Sequence, residues 1–177
     1  DSNYLFLFGS PSSDHWFQQA LTYNLRETID NFLSAIDFCR EFKIKMVYPS
    51  SGTVYDANTC YARCKEILDS IATCFGGDIL GLRIFAGYGV GEGHKGAYQS
   101  IVSQFVRSIV NNERPEVWGD GTQSRDFIYI DDIVDAIITY KDHAGFVDVG
   151  TGISTSFNEV ISLIKTKTGK NVQPLYK

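Results

Sequence analysis

Apolar residues along the chain fall into short continuous runs and longer stretches with a three-and-four spacing. The short runs at 4–8, 45–49 and 79–85 are typical of buried strands, because strands of a parallel sheet are covered on both faces. The longer stretches predict helices, since a 3.6-residue period places every third or fourth side chain on one face. The predicted helices cover residues 14–42, 61–75, 98–110, 131–140 and 157–167.

The alternation of strands and helices predicts an α/β fold with a Rossmann-like parallel sheet and helices on both faces. In such sheets the chemistry lies at the carboxyl ends of the strands. Ser50 and Ser51 end the second predicted strand, and the loop 86–96 follows the third. Asp131 and Ser156 are placed to be N-caps, because their side-chain oxygens can accept from free backbone N–H groups.

Composition narrows the class of partner. The chain has 177 residues and a formal net charge of −5, which does not suggest a basic surface for nucleic acid. The sequence predicts neither a membrane-spanning helix nor a signal peptide, because its apolar runs are short and YLFLF lacks a basic flank. The cysteines match no zinc pattern and predict reduced thiols in a cytoplasmic protein: Cys39, Cys60, Cys64 and Cys74. No metal site is predicted.

Tyr61 and Lys65 form the first candidate for chemistry. They are four residues apart on a predicted helix, so their side chains share one face. A tyrosine hydroxyl titrates near 10 and becomes a usable base only if a neighbouring positive charge favours the phenolate. The Lys65 ammonium can supply that charge, and Ser51 is placed to hold a substrate hydroxyl. The spacing alone also fits an aromatic residue and a lysine on a solvated helix face.

The segments around this pair resemble the extended short-chain dehydrogenase/reductase family, the nucleotide-sugar epimerases and dehydratases. MVYPSSGTVY followed by YARCKEILD is similar to the family's serine-ended strand and Y-x-x-x-K helix. The small position before the lysine is occupied by Cys64. Further segments match in the same order: YNLRET, LRIFAGYGVGE, VWGDGTQSRDFIYIDDIVDAI and DVGTGISTSFNEV.

The resemblance implies NAD as the cofactor and a nucleotide sugar as the substrate. It implies that Ser51, Tyr61 and Lys65 are catalytic, with Tyr61 and Lys65 also contacting the cofactor. The other residues implied to bind NAD lie earlier in the chain: Phe8, Gly9, Ser10 and Asn24. The residues implied to bind substrate are Ser51, Thr53, Ala86 and Arg125. Residues 1–90 would then form a partial NAD-binding core, and 91–177 mainly a small substrate-binding lobe with elements returning to the core.

Arg125 carries a separate argument. A guanidinium in the glycine-bounded loop GDGTQSRD can present a planar fork to a diphosphate. The alternative is a salt bridge to Asp126 or Asp120. Asp131 and Asp132 are interpreted as a helix cap and a solvated acid.

Gly91, Gly93 and Gly96 satisfy G-x-G-x-x-G before a helix, but that pattern binds dinucleotides only when it directly follows a strand. Five residues intervene after Phe85, and the resemblance places this loop on the substrate side. His94 is therefore expected near the sugar nucleotide or in solvent, as is its neighbour Lys95.

Some features depart from the family pattern. A family-type glycine fingerprint is missing near the start, so the sequence is expected to be a fragment of a longer protein or a chain that has lost cofactor-binding parts. The loop between Tyr55 and Tyr61 is short. Ala86 and Asp148 stand where the family commonly has asparagine.

Gly52 and Thr53 stand where family dehydratases tend to carry an Asp-Glu pair that removes a proton and expels a hydroxyl. Epimerisation at C4 of a UDP-hexose is therefore favoured. Other nucleotide-sugar enzymes of the family stay as alternatives (a dehydratase, decarboxylase or reductase), as does a non-catalytic binding remnant. The resemblance also implies a homodimer through two helices per subunit, the long helix before Lys43 and the helix bearing Tyr61.

Overall fold

A four-stranded parallel sheet forms the centre of the first of two units into which the chain divides. The computed structural model describes residues 3–177, apart from the side chain of Trp16. The first unit is the described part of Asp1–Ile84 together with Asp135–Val149, and the second is Phe85–Val134 with Gly150–Lys177. The predicted division into cofactor and substrate parts remains a prediction about function.

The elements of the first unit alternate as the apolar pattern predicts. They are β1 (Tyr4–Phe6), α1 (Asp14–Gln19), α2 (Leu21–Phe42), β2 (Lys45–Ser51), a 3₁₀ helix (Gly52–Asp56), α3 (Cys60–Phe75), β3 (Ile79–Ile84) and β7 (Gly145–Val149). The strand order is β1-β2-β3-β7, and every pair is parallel. The α/β class with a parallel sheet is therefore confirmed.

The core of this unit lies between the sheet and two helices. Phe32 and Ile36 of α2 pack with Leu68 of α3 against Met46 and Tyr48 of β2, and all five are buried. Burying side chains of this size is worth about 1.5–3 kcal/mol each before conformational entropy is counted. The same packing fixes α3, and with it Tyr61 and Lys65, against the strand that ends in Ser51.

Gly81 is required by close packing in the middle of β3. It pairs with Tyr48 on one side and with Phe146 on the other. A Cβ atom at Gly81 would lie 2.8 Å from the Tyr48 hydroxyl and 2.8 Å from the Phe146 ring. Glycine therefore lets two aromatic side chains meet above the sheet.

The helix predicted over residues 14–42 is two helices. Ala20 has φ −151° and ψ 62°, so α1 ends at Gln19 and α2 starts at Leu21. Both helices keep an apolar face, so the three-and-four spacing of apolar residues continues across the break at Ala20. Lys43 closes α2 in the left-handed region with φ 54°, and its backbone N–H donates to Cys39.

The second unit combines small sheets with helices. Its elements are β4 (Ala86–Tyr88), a 3₁₀ segment (Glu92–Tyr98), α4 (Ile101–Val110), β5 (Glu116–Val117), β6 (Ser124–Tyr129), β8 (Ser154–Ser156), α6 (Phe157–Thr168) and β9 (Leu175–Tyr176). Helix α5 (Ile130–Tyr140) leads from β6 toward β7. Strand β6 pairs parallel to β4 and antiparallel to β8, and β5 pairs with β9.

The core of the second unit lies between α4 and α6. Phe105 and Ile109 of α4 are buried with Val160 and Ile161 of α6 and with Val117. The loop predicted over 86–96 therefore has structure of its own, because β4 pairs with β6 and a 3₁₀ segment follows.

The two predicted N-caps have different outcomes. Ser156 is confirmed as the cap of α6, where its side chain accepts from the Glu159 backbone N–H and the Glu159 carboxylate accepts from Ser156 in return. The prediction for Asp131 is wrong, since α5 already begins at Ile130. Strand β6 runs directly into α5, so Asp131 lies inside the first turn, where its charge still favours the positive end of the helix.

Candidate active site

The end of β2 and the start of α3 bring the predicted catalytic residues together in the first unit. Ser51 is the last residue of β2 and is 6% exposed. Thr59 caps α3 by accepting from the Ala62 backbone N–H, which fixes the helix start just before Tyr61. Lys65 follows one turn later on the same helix.

Lys65 is held at the carboxyl end of the sheet. Its Nζ atom donates to the backbone oxygen of Pro49 at 2.7 Å and to the Ser10 hydroxyl at 3.3 Å. The side chain is buried, with 4% exposure of the residue. Burial lowers the pKa of Lys65 to about 8, although the negative forms of Cys64 and Asp69 act in the opposite direction. An ammonium has three donors, so one remains for a further acceptor.

Tyr61 is half-buried beside Lys65. The Lys65 Nζ atom lies 5.7 Å from the centroid of the Tyr61 ring, and the Phe17 ring packs edge-on at 6.0 Å. Burial raises the pKa of Tyr61 above its usual value, while a hydrogen bond with Ser51 lowers it and the charge of Cys64 raises it. Burial dominates, so the phenolate needs additional positive charge beside it before it can act as a base.

Ser51 is oriented by the residues that follow it. Its hydroxyl oxygen accepts from the Thr53 backbone N–H at 3.3 Å and from the Thr53 hydroxyl at 3.0 Å. Ser51 thereby caps the 3₁₀ helix Gly52–Asp56. The exposed Thr53 side chain belongs to the same turn, so these two predicted substrate-binding residues are adjacent.

The predicted cofactor-binding residues occupy the loop after β1 and the start of α2. Phe8 is 43% exposed, and Gly9 has open space where a Cβ atom would be. Ser10 contacts Lys65 directly. Asn24 is half-buried on α2.

A narrow cavity lies between this loop, α2 and β2. Gly9, Ser10 and Lys65 line it together with Thr28 and Asn31. The Thr28 hydroxyl is buried and has no hydrogen-bond partner among the described residues. Sequence reasoning missed Thr28, and the one available signal was its position one helical turn after Asn24.

Arg125 belongs to the second unit, where it is exposed on β6. Its Nη1 atom donates to the backbone oxygen of Ser124 at 2.7 Å. Within residues 3–177 no ion pair involves Arg125. The salt bridges considered from sequence, to Asp126 or Asp120, are therefore not formed in that part of the chain.

Asp126 has its own partners. Its carboxylate accepts from the Thr151 backbone N–H and the Gly152 backbone N–H at 2.8 Å each, and from the Thr151 hydroxyl at 2.6 Å. Burial acts to raise the pKa of Asp126, but these bonds outweigh it and lower the pKa. Gly150 is needed at this turn, since a Cβ atom there would lie 2.5 Å from the Asp126 carboxylate.

Ala86 opens β4 in the second unit and pairs with Phe127 of β6. The glycine-rich segment that follows is organised by Glu92. Its carboxylate accepts from the Ser100 backbone N–H at 2.7 Å, from the Ser100 and Ser103 hydroxyls at 2.7 and 2.8 Å, and from the Gly89 backbone N–H at 3.3 Å. This closes the segment from Gly89 to the start of α4.

His94 projects from the closed segment. Its Nδ1 atom lies 2.9 Å from the backbone oxygen of Gly91, and the side chain is exposed. The role of Glu92 was not predicted from the sequence, because its hydrogen-bond partners lie up to 11 positions further along the chain.

We expect the Glu92→Gln substitution to reduce stability at neutral pH and to flatten the pH dependence of stability. Burial acts to raise the pKa of Glu92, but the bonds from Ser100, Ser103 and Gly89 lower it to about 2 from 4.5. A carboxylate with a lowered folded-state pKa stabilises the protein above pH 4.5 and loses that effect as pH falls toward 2. Urea unfolding at pH 7 and pH 3 measures this difference.

The matched control for this prediction is Glu113→Gln, at an exposed position outside the segment that Glu92 closes. It should leave the pH dependence of unfolding unchanged. Equal loss of stability between pH 7 and pH 3 in wild type and Glu92→Gln would contradict the role given to Glu92.

Across residues 3–177, no helix combines the length and apolar character needed to cross a membrane. The same residues contain no group of three or more histidine, cysteine, aspartate or glutamate side chains arranged to hold a metal ion. All four cysteines are free thiols, and Cys39 and Cys64 are buried.

The order of these elements, with a serine-ended strand before a helix that carries Tyr61 and Lys65, matches a defined class of proteins. Residues 1–150 match the model of the NAD dependent epimerase/dehydratase family. The chain belongs to this family, whose cofactor is NAD. The resemblance seen in the sequence motifs is thus confirmed.

Two relatives of the chain are named as epimerases of nucleotide sugars. The chain is 28% identical to a putative UDP-glucose 4-epimerase from Methanocaldococcus jannaschii, over 89% of this chain and 62% of the relative. It is 28% identical to ADP-L-glycero-D-manno-heptose-6-epimerase from Alkalilimnicola ehrlichii, over 77% of this chain and 51% of the relative.

A solved structure extends the similarity to the whole described fold. UDP-N-acetylglucosamine 4-epimerase from Methanobrevibacter ruminantium M1, in complex with UDP-N-acetylmuramic acid, superposes with a TM-score of 0.89 at 26% identity. The match covers 100% of this chain and 64% of that structure. The chain therefore spans between about half and two thirds of the length of these relatives.

Proposed function

We propose that the protein is an NAD-dependent epimerase of a nucleotide-diphosphate sugar, acting at C4 of a UDP-hexose through a transient 4-keto sugar. The observation that carries the proposal is the juxtaposition of Ser51, Tyr61 and Lys65 at the carboxyl end of β2. There the Lys65 ammonium is buried beside the Tyr61 ring, and the Ser51 side chain acts to lower the pKa of Tyr61 against the larger effect of burial.

In this proposal Tyr61 is the base. As a phenolate, its oxygen takes the proton of the sugar's 4-hydroxyl, and it returns a proton to the same oxygen when the 4-keto sugar is reduced. Ser51 holds the reacting oxygen through its hydroxyl. Lys65 favours the phenolate by its positive charge, which its bonds to Pro49 and Ser10 keep in place.

The residues around Lys65 fit the ribose and nicotinamide side of NAD. The remaining Lys65 donor, the Ser10 hydroxyl and the unpartnered Thr28 hydroxyl are polar groups of the type that ribose hydroxyls bind. We assign cofactor contacts to Phe8, Gly9, Ser10, Asn24, Tyr61 and Lys65. When bound there, NAD would supply a positively charged ring and a reversible acceptor for the C4 hydride.

Substrate binding is assigned to Ser51, Thr53, Ala86 and Arg125. The Arg125 guanidinium is exposed, and within residues 3–177 it donates a hydrogen bond only to the Ser124 backbone oxygen, so its fork can receive a diphosphate. The neighbouring Asp126 carboxylate is engaged by three hydrogen bonds from Thr151 and Gly152 instead of by Arg125.

Epimerisation is preferred to elimination of water because of the residues after Ser51. Gly52 and Thr53 carry no carboxylate, so these two positions do not supply the acid and base that remove a proton and expel a hydroxyl. The relatives from Methanocaldococcus jannaschii and Methanobrevibacter ruminantium are both named as 4-epimerases, which supports C4 as the reacting carbon.

The test is a turnover assay of the full-length protein with NAD, starting separately from UDP-glucose and from UDP-galactose. We expect each sugar to be converted into the other until the same equilibrium mixture is reached from both sides. Chromatography must separate the two sugars, because they have equal mass. Mass detection of the separated products identifies any dehydrated product. Formation of a product lighter by one water, or no conversion of either sugar, would overturn the proposed reaction.

We also propose that two copies associate through α2 and α3. Both helices expose large apolar side chains: Phe38 and Phe42 on α2, and Ile67 and Phe75 on α3. Exposed groups of this kind are typical of surfaces that bind another protein. A cytoplasmic location, suggested by the free thiols, stays a prediction.

A further inference from the structure

One row of side chains crosses the carboxyl end of the parallel sheet. Ser50 of β2 pairs with Arg83 of β3, and Arg83 pairs with Asp148 of β7. Residues paired in this way project from the same face of the sheet. Arg83 therefore lies between a buried serine and a carboxylate at the edge where the proposed chemistry occurs.

Tyr55 connects this row to the loop that follows β2. Its hydroxyl donates to the two carboxylate oxygens of Asp148 at 2.8 and 2.9 Å. The same hydroxyl accepts from Arg83 Nη1 at 2.9 Å. The phenol oxygen thus joins a cation and an anion that stand on neighbouring strands.

Arg83 also ties the row to α3. Its Nε atom donates to Asp69 Oδ2 at 3.0 Å, and the Tyr48 hydroxyl donates to Asp69 Oδ1 at 2.8 Å. The guanidinium carbon lies 5.1 Å from the centroid of the Tyr55 ring and 4.4 Å from that of Phe146. Arg83 is therefore fixed by two polar partners and two aromatic faces.

The two ends of this network are attached to catalytic residues. Tyr55 lies in the 3₁₀ helix Gly52–Asp56, which begins directly after Ser51. Asp69 follows Lys65 by one turn of α3 and raises the pKa of Lys65 by its charge. The network thus joins the turn that orients the Ser51 hydroxyl to the helix that carries Lys65 and Tyr61.

We propose that Tyr55 is a positioning residue, which holds the Ser51 turn in register with Tyr61 by bridging Arg83 and Asp148. The inference rests on the proposed function, because Ser51 and Tyr61 matter as a pair only if they act on one hydroxyl. It assigns a role to Asp148, whose carboxylate accepts from the Tyr55 hydroxyl. An asparagine side chain there keeps one oxygen that can accept from the Tyr55 hydroxyl.

The experiment uses the full-length protein and compares Tyr55→Phe with wild type. Tyr55→Phe keeps the ring against Arg83 but removes the bridging oxygen. We expect kcat to fall by about ten- to a hundredfold, because a small displacement of Ser51 misplaces the reacting hydroxyl. KM for the nucleotide sugar should change by less than about twofold. Amide hydrogen exchange of residues 52–56, followed by mass spectrometry, should become faster.

Substitutions of Asp148 separate positioning from general stability. Asp148→Asn should retain most of kcat, and Asp148→Ala should behave like Tyr55→Phe in both kcat and amide exchange. Tyr140→Phe, which removes a hydroxyl at the end of α5, is the control and should leave both measurements unchanged. Unchanged kcat in Tyr55→Phe, or equal losses in Asp148→Asn and Asp148→Ala, would overturn the role of Tyr55.

The exchange measurement distinguishes this inference from the proposed function. If wild type converts no nucleotide sugar, the proposed function fails, and the catalytic part of the inference fails with it. Faster exchange of 52–56 in Tyr55→Phe with normal turnover means that the bridge orders the turn without serving catalysis, which refutes the positioning role alone.

Discussion

Replacing Tyr61 by phenylalanine is expected to lower kcat for the interconversion of UDP-glucose and UDP-galactose by about 10²–10⁴-fold. Tyr61 is the only group in the described site that combines a titratable hydroxyl with contacts to both Ser51 and Lys65. Phenylalanine keeps the edge-on packing against Phe17 and removes the atom that accepts the proton.

The measurement separates chemistry from binding and folding. Steady-state kinetics of the full-length protein with NAD give kcat and KM, and calorimetry gives the affinity of Tyr61→Phe for the nucleotide sugar. We expect the affinity to change by less than about threefold, since substrate binding is assigned to residues other than Tyr61. The free energy of unfolding should stay within about 0.5 kcal/mol of wild type, because a half-buried ring of the same shape is retained.

Tyr140→Phe serves again as the control, at a position outside the site. It should keep wild-type kcat. Full activity in Tyr61→Phe would remove Tyr61 from the mechanism, and Ser51 would then have to be examined as the group that contacts the reacting oxygen.

Much of the first unit was predictable because its strands and helices are local patterns. The apolar runs 45–49 and 79–85 correspond to β2 and β3, whose ends differ from the predicted ones by two residues and one residue. The break at Ala20 was not predictable, since both flanking helices keep an apolar face and the change is confined to the backbone angles of one residue. The prediction that Asp131 is an N-cap was wrong because β6 passes into α5 without a separate loop.

In the site, some contacts join residues that are close in sequence, and others join residues that are far apart. The positions of Ser51, Tyr61 and Lys65 follow from one strand, one turn and one helix, which lie close in sequence. The bridge from Tyr55 to Asp148 spans 93 positions, and its existence depends on β7 pairing beside β3. No spacing rule connects residues so far apart. The residues around Glu92 are nearer to one another in sequence. Their serines are equally typical of a helix N-cap, so the sequence did not indicate that they bind Glu92.

The second large effect is expected from Lys65→Met, which should lower kcat by at least about a hundredfold. Methionine has a similar length and is compatible with a buried helical position, but it carries no charge to favour the Tyr61 phenolate. The contacts to Pro49 and Ser10 are lost with the ammonium. Lys65→Arg is the matched variant, because it keeps the charge while its planar fork does not reproduce the point contact of an ammonium.

The pH dependence gives a sharper test of Lys65. Because burial lowers its pKa to about 8, wild type should lose kcat/KM above pH 8 as the ammonium loses its proton. Stability moves the other way. Between pH 8 and 10.5 the folded protein has released this proton while the unfolded chain still binds it, so the free energy of unfolding rises with pH in that window.

Lys65→Met should therefore lack both the alkaline loss of activity in its residual turnover and the gain in stability between pH 8 and 10.5. Urea unfolding across this range measures the second effect without any substrate or cofactor. If Lys65→Met gains stability with pH as wild type does, the ammonium is not the buried group that titrates there. If it also retains kcat, the charge beside Tyr61 has no part in the reaction.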